Sequence, residues 1–336
     1  MKNKIKILIC GGAGYIGSHM AKMLSNLGYD IVCFDNLSTG NRWALKWGEF
    51  VKGDLLNHSD LQHLFSEHQF DLVIHFSAKA IVEESIKSPD IYYKNNVIGT
   101  YNLIEKMLNN KINKFIFSST AAVYGDPITE LISETHPKSP INPYGHSKLI
   151  VEYMLEDYAI AYGLNSVILR YFNVAGADPD CEIGEYHEHE THLIPNILIT
   201  ARSQLEKHDN NKKSEFIIYG DDFPTKDGTC VRDYIHVNDI CTAHVKAINY
   251  INDLQGTNAF NLGNGQGFTI KEILNAAENI IGRKVNPIYS NRRDGDPAIL
   301  VADSSKATNK LDWKPKYRNI ESIIETAWKW QINMPV

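Results

Sequence analysis

A tyrosine and a lysine four positions apart, Tyr144 and Lys148, are the residues of this sequence best suited by type and spacing to proton transfer. The apolar residues at 150–155 predict a helix here, and a spacing of four places both side chains on one helix face. A lysine ammonium beside a phenol stabilises the phenolate, so it should lower the tyrosine pKa from its reference of about 10. Tyr144 is therefore the candidate base for removing a proton from an alcohol.

A hydroxyl residue at the end of a predicted strand is the candidate third member of this group. Ser118-Ser119-Thr120 follows an apolar stretch at residues 115–117 that is typical of a buried strand. Ligands of a doubly wound sheet bind at such strand ends, so the Thr120 hydroxyl could share a hydrogen bond between a substrate oxygen and Tyr144. A simple strand-end cap is the alternative interpretation.

A glycine-rich run directly after the first apolar stretch predicts a dinucleotide site. The run Gly11-Gly12-Ala13-Gly14-Tyr15-Ile16-Gly17 fits Gly-x-Gly-x-x-Gly from its second glycine and Gly-x-x-Gly-x-x-Gly from its first. Glycines allow a tight turn in which the backbone approaches a pyrophosphate at a helix N-terminus. A nicotinamide can accept the hydride that an alcohol carbon loses once the hydroxyl proton is removed, so the predicted base and the predicted cofactor explain each other.

Asp35, at the end of the next apolar stretch, indicates which cofactor binds. A carboxylate there accepts hydrogen bonds from a ribose diol and would repel a 2′-phosphate, which favours NAD over NADP. Asp54 and Asn95 are further candidates, at the end of a third strand and on a long helix. A turn former is the alternative for Asp35, and a loop or cap residue for the other two.

The elements that must position these residues alternate between strands and helices in the first half of the chain. The pattern predicts an α/β fold with a doubly wound parallel (Rossmann) sheet and a smaller mixed α/β substrate domain. The expected domains are residues 1–176 and 177–336, with segments of the second returning to the first. We expect strands at residues 5–10, 31–34, 72–76, 115–118, 166–169 and 259–262, helices at 15–27, 61–67, 91–108, 269–281 and 320–330, and a solvated loop at 206–215.

Composition excludes several classes of protein. The chain has 336 residues and a formal net charge of -6, which gives no electrostatic case for binding nucleic acid or an anionic membrane. No apolar stretch is long enough to span a bilayer, and the apolar run at residues 5–10 is too short for a signal peptide. Five scattered cysteines without a Cys-x-x-Cys pair predict reduced thiols. We therefore expect a cytoplasmic protein.

Three histidines, His187, His189 and His192, suggest a metal site, but their spacing is not that of His-Glu-x-x-His. We interpret this segment as a polar loop and expect no metal.

Several further motifs identify a family resemblance that covers nearly the whole chain. With the glycine run, they resemble the sugar-nucleotide epimerases of the extended short-chain dehydrogenase/reductase family. These motifs are Asp35-Asn36-Leu37, Leu169-Arg170-Tyr171-Phe172-Asn173-Val174-Ala175-Gly176-Ala177, Asp227-Gly228-Thr229, Val231-Arg232-Asp233-Tyr234-Ile235-His236-Val237 and Arg293-Asp294-Gly295-Asp296.

The resemblance implies two sets of binding residues besides the catalytic Tyr144, Lys148 and Thr120. It implies that NAD contacts these three and Gly11, Gly12, Gly14, Tyr15, Ile16, Gly17, Asp35, Asn36, Leu37, Ser38, Thr39, Gly40, Asp54, Leu55, Phe76, Asn95 and Phe172. It implies that the UDP-sugar contacts Asn173, His192, Leu193, Ile217, Tyr219, Arg232, Arg293, Asp296 and Leu300, with Arg232 and Arg293 on the pyrophosphate and Asp296 near the uridine ribose. The family's pyrophosphate lysine is displaced by one position, at Lys79, so its role is not carried over.

The implied reaction is the reversible epimerisation of UDP-glucose and UDP-galactose at sugar carbon 4, through a 4-keto intermediate and with tightly bound NAD. The resemblance also implies a homodimer formed through the long helices, including residues 91–108. Leu300 stands where some relatives have a tyrosine, so activity on UDP-GlcNAc and UDP-GalNAc, alone or with the first pair, is the alternative. A dehydratase is disfavoured because Ala121 and Ala122, rather than acids, follow Thr120. Intact catalytic residues argue against a non-catalytic NAD sensor.

Overall fold

The strands of the structure form one large parallel sheet and two smaller ones. A computed structural model of the chain describes residues 4–205, 215–293 and 296–334. Its strands are β1 (Lys6–Cys10), β2 (Asp30–Asp35), β3 (Glu49–Lys52), β4 (Leu72–His75), β5 (Lys114–Thr120), β6 (Leu131–Ile132), β7 (Asn165–Tyr171), β8 (Asn173–Ala175), β9 (Ile217–Tyr219), β10 (Val231–His236), β11 (Thr257–Leu262), β12 (Gly267–Thr269), β13 (Ile288–Ser290) and β14 (Ile299–Ala302).

The large sheet has seven strands in the order β11-β7-β5-β4-β1-β2-β3, and every neighbouring pair is parallel. The chain builds outward in one direction from β1 and then reverses to build outward from β4. At such a reversal, the loops that follow the two strands turn to opposite faces and leave a crevice at the carboxyl ends. The predicted doubly wound sheet is confirmed, and the crevice lies where Gly11 and Phe76 leave the sheet.

Helices cover both faces of this sheet. The helices of the described residues are α1 (Tyr15–Asn26), α2 (His58–Glu67), α3 (Val82–Lys87), α4 (Pro89–Tyr92), α5 (Gly99–Asn109), α6 (Pro143–Tyr162), α7 (Leu193–Leu205), α8 (Val237–Tyr250), α9 (Ile270–Ile281), α10 (Ser305–Leu311) and α11 (Ile320–Asn333).

The central strand shows why both faces must be covered. Ile7 and Ile9 of β1 join one apolar core, which also holds side chains of α1, α8 and α10. Leu8 and Cys10 point to the other face and join a second core with α2, α5 and α6. Successive residues of a strand face opposite sides, so a run that is apolar at every position must be buried on both.

The helix predicted over residues 91–108 is helical throughout, but it is not one α-helix. A π-helical segment, Tyr93–Ile98, joins α4 to α5. The side chain of Asn96 donates from this segment to the carbonyl oxygen of Lys79 and to the hydroxyl of Ser147 on α6, both at 3.0 Å. These buried hydrogen bonds are available only in the folded chain, so the sequence period could not reveal the wider turn.

The smaller part of the molecule has its own core. β12, β10, β14 and β6 form a sheet in that order, with β8 also beside β10, and β9 pairs with β13. Helices α7, α9 and α11 surround these strands with apolar side chains such as Ile197, Ile273 and Ile324.

Segments cross between the two parts of the fold. β11 belongs to the large sheet, whereas β6 pairs with β14 of the small one. The division of the chain at residue 176 stays a prediction. Except for the exposed Glu215, the loop predicted at residues 206–215 lies outside the described residues. Within the described part of the chain, every helix is too short or too polar to cross a membrane.

Candidate active site

A cavity of about 1220 Å³ lies at the carboxyl ends of the parallel strands and extends to the smaller part of the molecule. Its wall includes residues from the glycine turn, the end of β5, the start of α6 and the strands β9 and β10. The cavity therefore joins the predicted cofactor site, the predicted base and the predicted substrate residues.

The turn from β1 into α1 has the form that a pyrophosphate site needs. Gly11 has φ +82°, and a Cβ atom there would lie 2.7 Å from the backbone nitrogen of Ser77. A Cβ atom at Gly17 would lie 2.0 Å from the carbonyl oxygen of Gly11. Among the described residues, no side chain caps α1 at Gly14, and Gly14, Tyr15 and Gly17 lie on the cavity wall. The N–H groups of the first helical turn are therefore available to an anion there.

Asp35 ends β2 beside this turn. Its Oδ2 accepts a hydrogen bond from the Ala13 nitrogen at 3.0 Å, and its Oδ1 accepts one from the Leu37 nitrogen at 2.8 Å. Burial raises the pKa of this carboxyl, and the two backbone hydrogen bonds oppose that rise. The carboxylate is therefore fixed in orientation on the cavity wall, and its remaining lone pairs can accept hydrogen bonds from a ribose diol.

Most of the predicted cofactor residues line the cavity. These are Gly11, Gly14, Tyr15, Ile16, Gly17, Asp35, Asn36, Ser38, Thr39, Gly40, Asp54, Leu55, Phe76, Asn95, Thr120, Tyr144 and Phe172. Asn36 and Asp54 are also hydrogen-bonded to each other at 2.9 Å, which joins the loops after β2 and β3.

Three of the predicted cofactor residues do not lie on the cavity wall. A Cβ atom at Gly12 would lie 2.6 Å from the Cβ of Cys33, so this glycine serves the packing of the turn on β2. Leu37 has φ +61° and holds Asp35 through its backbone nitrogen. Lys148 is 3% exposed and lies beneath the wall. Direct contact of the cofactor with these three residues stays a prediction.

The start of α6 positions the predicted base. The Asn142 side chain caps the helix by accepting from the Gly145 nitrogen at 2.9 Å, and Pro143 occupies the first turn. Tyr144 then lies on the cavity wall with Thr120 from the end of β5. The structure thus brings together two candidate catalytic residues that lie 24 positions apart in the chain.

The expectation that Lys148 lowers the pKa of Tyr144 below its reference value is wrong. Burial raises the pKa of Tyr144 rather than lowering it, and the Thr120 hydroxyl only partly opposes this rise. The Nζ atom of Lys148 donates to the Ser118 carbonyl oxygen at 2.7 Å. Burial lowers the pKa of Lys148 to about 7, because few polar groups replace the water that hydrates the ammonium in solution. The charge of Glu152 opposes this shift.

The predicted substrate residues all lie on the same cavity wall: Asn173, His192, Leu193, Ile217, Tyr219, Arg232, Arg293, Asp296 and Leu300. Arg232 is paired with Asp296 through Nη2 and donates to its own neighbour Val231 at 2.8 Å. Arg293 lies over the Tyr219 ring, with its guanidinium carbon 3.8 Å from the ring centre. Two cations from distant parts of the sequence therefore face one end of the cavity. Their contacts with a pyrophosphate, and that of Asp296 with a ribose, stay predictions.

The histidine segment forms ion pairs on the cavity wall. His192 Nδ1 lies 2.8 Å from a Glu185 oxygen and 3.1 Å from a Glu190 oxygen, and His187 Nδ1 lies 3.2 Å from Glu190. Partial burial lowers the pKa of His192, but the two carboxylates outweigh it and raise the pKa to about 10. The histidines hold the pKa of Glu190 well below its usual range. His189 is exposed. The interpretation as a polar loop without a metal stays a prediction.

The cavity wall also includes Lys79, to which the sequence assigned no role, and Tyr171, Glu185 and Glu190, which were not predicted as site residues. Lys79 and Tyr171 come shortly after predicted strands, which is a signal that could have found them. The two glutamates had no such signal, because they come from an irregular segment after β8.

Comparison with known proteins finds similarity over nearly the whole chain. A model of the NAD dependent epimerase/dehydratase family matches residues 7–263. The UDP-glucose 4-epimerase of Halalkalibacterium halodurans is 45% identical over 329 residues, which cover 98% of this chain and 96% of the relative. The UDP-glucose 4-epimerase of Lacticaseibacillus casei is 47% identical over 330 residues, covering 98% and 97%.

Solved structures agree with these matches. The structure of UDP-glucose 4-epimerase from Brucella ovis in complex with NAD is 46% identical and has a TM-score of 0.91, covering 97% of this chain and 98% of that one. The epimerase from Bifidobacterium longum in complex with NAD+ and UDP is 36% identical and has a TM-score of 0.92, covering 98% and 99%.

Proposed function

Because this chain belongs to the NAD dependent epimerase/dehydratase family, we propose that it is a UDP-glucose 4-epimerase, which interconverts UDP-glucose and UDP-galactose with bound NAD. One observation carries the proposal: a single cavity joins the glycine turn, Tyr144 with Thr120, and the cations Arg232 and Arg293. A cofactor, an alcohol and a diphosphate would then meet in one place.

The residues present fit NAD. The open N-terminus of α1 can bind the pyrophosphate, and only glycine fits at Gly11 and Gly17. Asp35 can accept from the adenosine ribose, and its charge disfavours a 2′-phosphate. When bound, NAD supplies the acceptor and the donor for the hydride at carbon 4 of the sugar.

Tyr144 takes the proton from the hydroxyl on carbon 4 and later returns it. Thr120 shares the hydrogen bond to this hydroxyl, and the Lys148 ammonium below the wall favours the charged phenolate. Burial raises the pKa of Tyr144, and the positive nicotinamide ring of bound NAD would oppose this rise.

Inversion at carbon 4 requires that the two faces of the 4-keto sugar reach the hydride in turn. The UDP part is held by charge-assisted hydrogen bonds from Arg232, Arg293 and Asn173. It is therefore held more firmly than the sugar part of the substrate. The sugar can then rotate about its bond to the phosphate within the cavity. Dehydration needs an acid or base next to Thr120, and the alanines at 121 and 122 supply none.

The assay for this proposal incubates the purified protein with UDP-galactose and detects UDP-glucose by NMR. UDP-GalNAc serves as the comparison substrate, since Leu300 lies on the cavity wall. Conversion of UDP-galactose with no added cofactor is expected if NAD remains bound during purification. A sample that contains NAD but converts neither sugar contradicts the proposal.

The homodimer is part of the same proposal. Four large apolar or aromatic side chains are exposed here: Ile98 on the π-helical segment, Tyr101 on α5, and Ile150 and Tyr153 on α6. The π-helical segment packs against α6. An apolar face on two packed helices can bind the same face of a second copy about a two-fold axis. Sedimentation analysis should show a dimer, and Tyr153→Glu should shift it towards monomer. A monomeric wild-type protein at micromolar concentration would contradict this part.

A cytoplasmic location is also proposed. It is supported by the five free cysteines, four of which are buried in the described structure.

A further inference from the structure

The catalytic face of α6 continues by one turn beyond the lysine. Tyr144, Lys148 and Glu152 are spaced by four residues, so they lie in a row along one side of the helix. The row faces the end of β5, where Lys148 Nζ donates to the Ser118 carbonyl oxygen and the Ser119 hydroxyl donates to Glu152 Oε1, both at 2.7 Å. Adjacent residues of β5 therefore bind adjacent members of the row.

Glu152 is a fully buried carboxylate, with 0% of its surface exposed. Arg170 of β7 binds it with both ends of the guanidinium fork, from Nε to Oε1 at 2.9 Å and from Nη2 to Oε2 at 2.7 Å. The third nitrogen, Nη1, donates to the Tyr124 hydroxyl at 2.7 Å. Lys138, whose Nζ lies 3.6 Å from Oε2, adds a second and more exposed cation. The acid is thus enclosed by partners and is not among the residues that line the cavity.

Two other titratable groups near Lys148, on β4 and β7, are neutral. His75 of β4 is a neutral imidazole, because burial and the charge of Lys148 lower its pKa to about 3. Burial also raises the pKa of Tyr171 on β7, which keeps that phenol neutral. Glu152 is the group that opposes the loss of the Lys148 proton.

We propose that Glu152 is a positioning residue for the reaction: its charge, balanced by Arg170, keeps Lys148 protonated, and its bond to Ser119 holds α6 in register with β5. The inference rests on the proposed function, because it concerns the same Tyr144 base. Arg170 has the complementary role of limiting how strongly Glu152 acts, since an unbalanced buried anion would disfavour the Tyr144 phenolate through repulsion between like charges.

Opposite substitutions test the charge balance. Glu152→Gln removes a negative charge and keeps the shape, so Lys148 loses its proton at lower pH, and the high-pH inflection of kcat should move down by about one unit, with a lower plateau. Arg170→Met removes the positive charge, so the inflection should move up. The double variant Glu152→Gln/Arg170→Met restores a neutral pair and should return the inflection to within a few tenths of a unit of wild type.

Ser119→Ala is the matched variant for the hydrogen bond, because it removes that bond from Glu152 without changing any charge. Its high-pH inflection should stay where it is in wild type, whereas its kcat plateau should fall, because the bond holds α6 in register with β5. If one single variant does not fold, the other single variant and the neutral double variant still test the inference. Shifts in the same direction for both single variants, or no shift in either, would overturn the inference. Failure of the wild-type protein to convert UDP-galactose would instead overturn the proposed function.

Discussion

The Nζ atom of Lys148 donates a 2.7 Å hydrogen bond to the carbonyl oxygen of Ser118, so the lysine is bound to β5 beneath the cavity wall. In the proposed reaction, Lys148 acts on the Tyr144 phenol through its charge rather than by delivering a proton. This arrangement explains why a tyrosine, and not the lysine, contacts the substrate hydroxyl in the proposed reaction.

Substitution of the base should abolish turnover. Tyr144→Phe removes the hydroxyl that accepts the carbon 4 proton, and kcat should fall by about 10²–10⁴-fold while UDP-sugar binding remains. Tyr153→Phe, on the exposed face of the same helix, should keep kcat near the wild-type value. The NMR assay with UDP-galactose measures both variants, and substantial turnover by Tyr144→Phe would exclude this residue as the base.

The two glycines at the start of α1 should respond differently to alanine. Gly17→Ala places a Cβ atom 2.0 Å from a backbone oxygen, so it should lower the Tm and the content of bound NAD together. Gly14→Ala places one at 3.4 Å, an ordinary contact, so the Tm should change little while bound NAD decreases. Thermal unfolding and the NAD content after denaturation measure both effects. Equal NAD content in Gly14→Ala and wild type would argue against a pyrophosphate at this turn.

Arg232 should contribute to substrate binding rather than to chemistry. Arg232→Met removes a charge-assisted contact worth about 1.5–3 kcal/mol, so KM for UDP-galactose should rise about 10–100-fold with a smaller change in kcat. Arg292→Met is the control, since Arg292 pairs with Asp222 and is not among the residues that line the cavity. An unchanged KM in Arg232→Met would mean that the guanidinium serves only its pair with Asp296.

The stability contributed by His192 should depend on pH. Its folded pKa is raised to about 10, so the protonated form stabilises the fold fully below the unfolded pKa of about 6.5, and this contribution is lost as pH rises through 10. The Tm difference between wild type and His192→Gln should therefore be larger at pH 6 than at pH 10. The effect is reduced by solvent, since the side chain is half-exposed. His189→Gln, at an exposed position, should show no such trend, and a constant difference for His192→Gln would contradict the ion pairs.

Much of the site could be predicted because its signals are local. The glycine turn, the acid that ends β2 and the four-residue spacing of Tyr144 and Lys148 each lie within one or two elements. Steric limits at the turn and helix geometry act over a few residues, so sequence alone reveals them. The parallel sheet follows in the same way from strands that are apolar at every position.

Other features arise only where distant segments meet. The pairing of Arg232 with Asp296 and of Glu152 with Arg170 joins residues on different elements. The Asn96 contacts that accompany the π-helical segment also cross between elements. The predicted direction of the Tyr144 pKa shift was wrong for a related reason, because the extent of burial depends on the packing of α6 against β5.

The sequence by itself therefore determined the type of fold and the glycine turn, and it predicted the candidate base. The tertiary structure decided which charges are paired, how deeply they are buried and which of them face the cavity. Coulombic and desolvation energies depend on distances and on exclusion of water, and neither is defined until the strands and helices have packed.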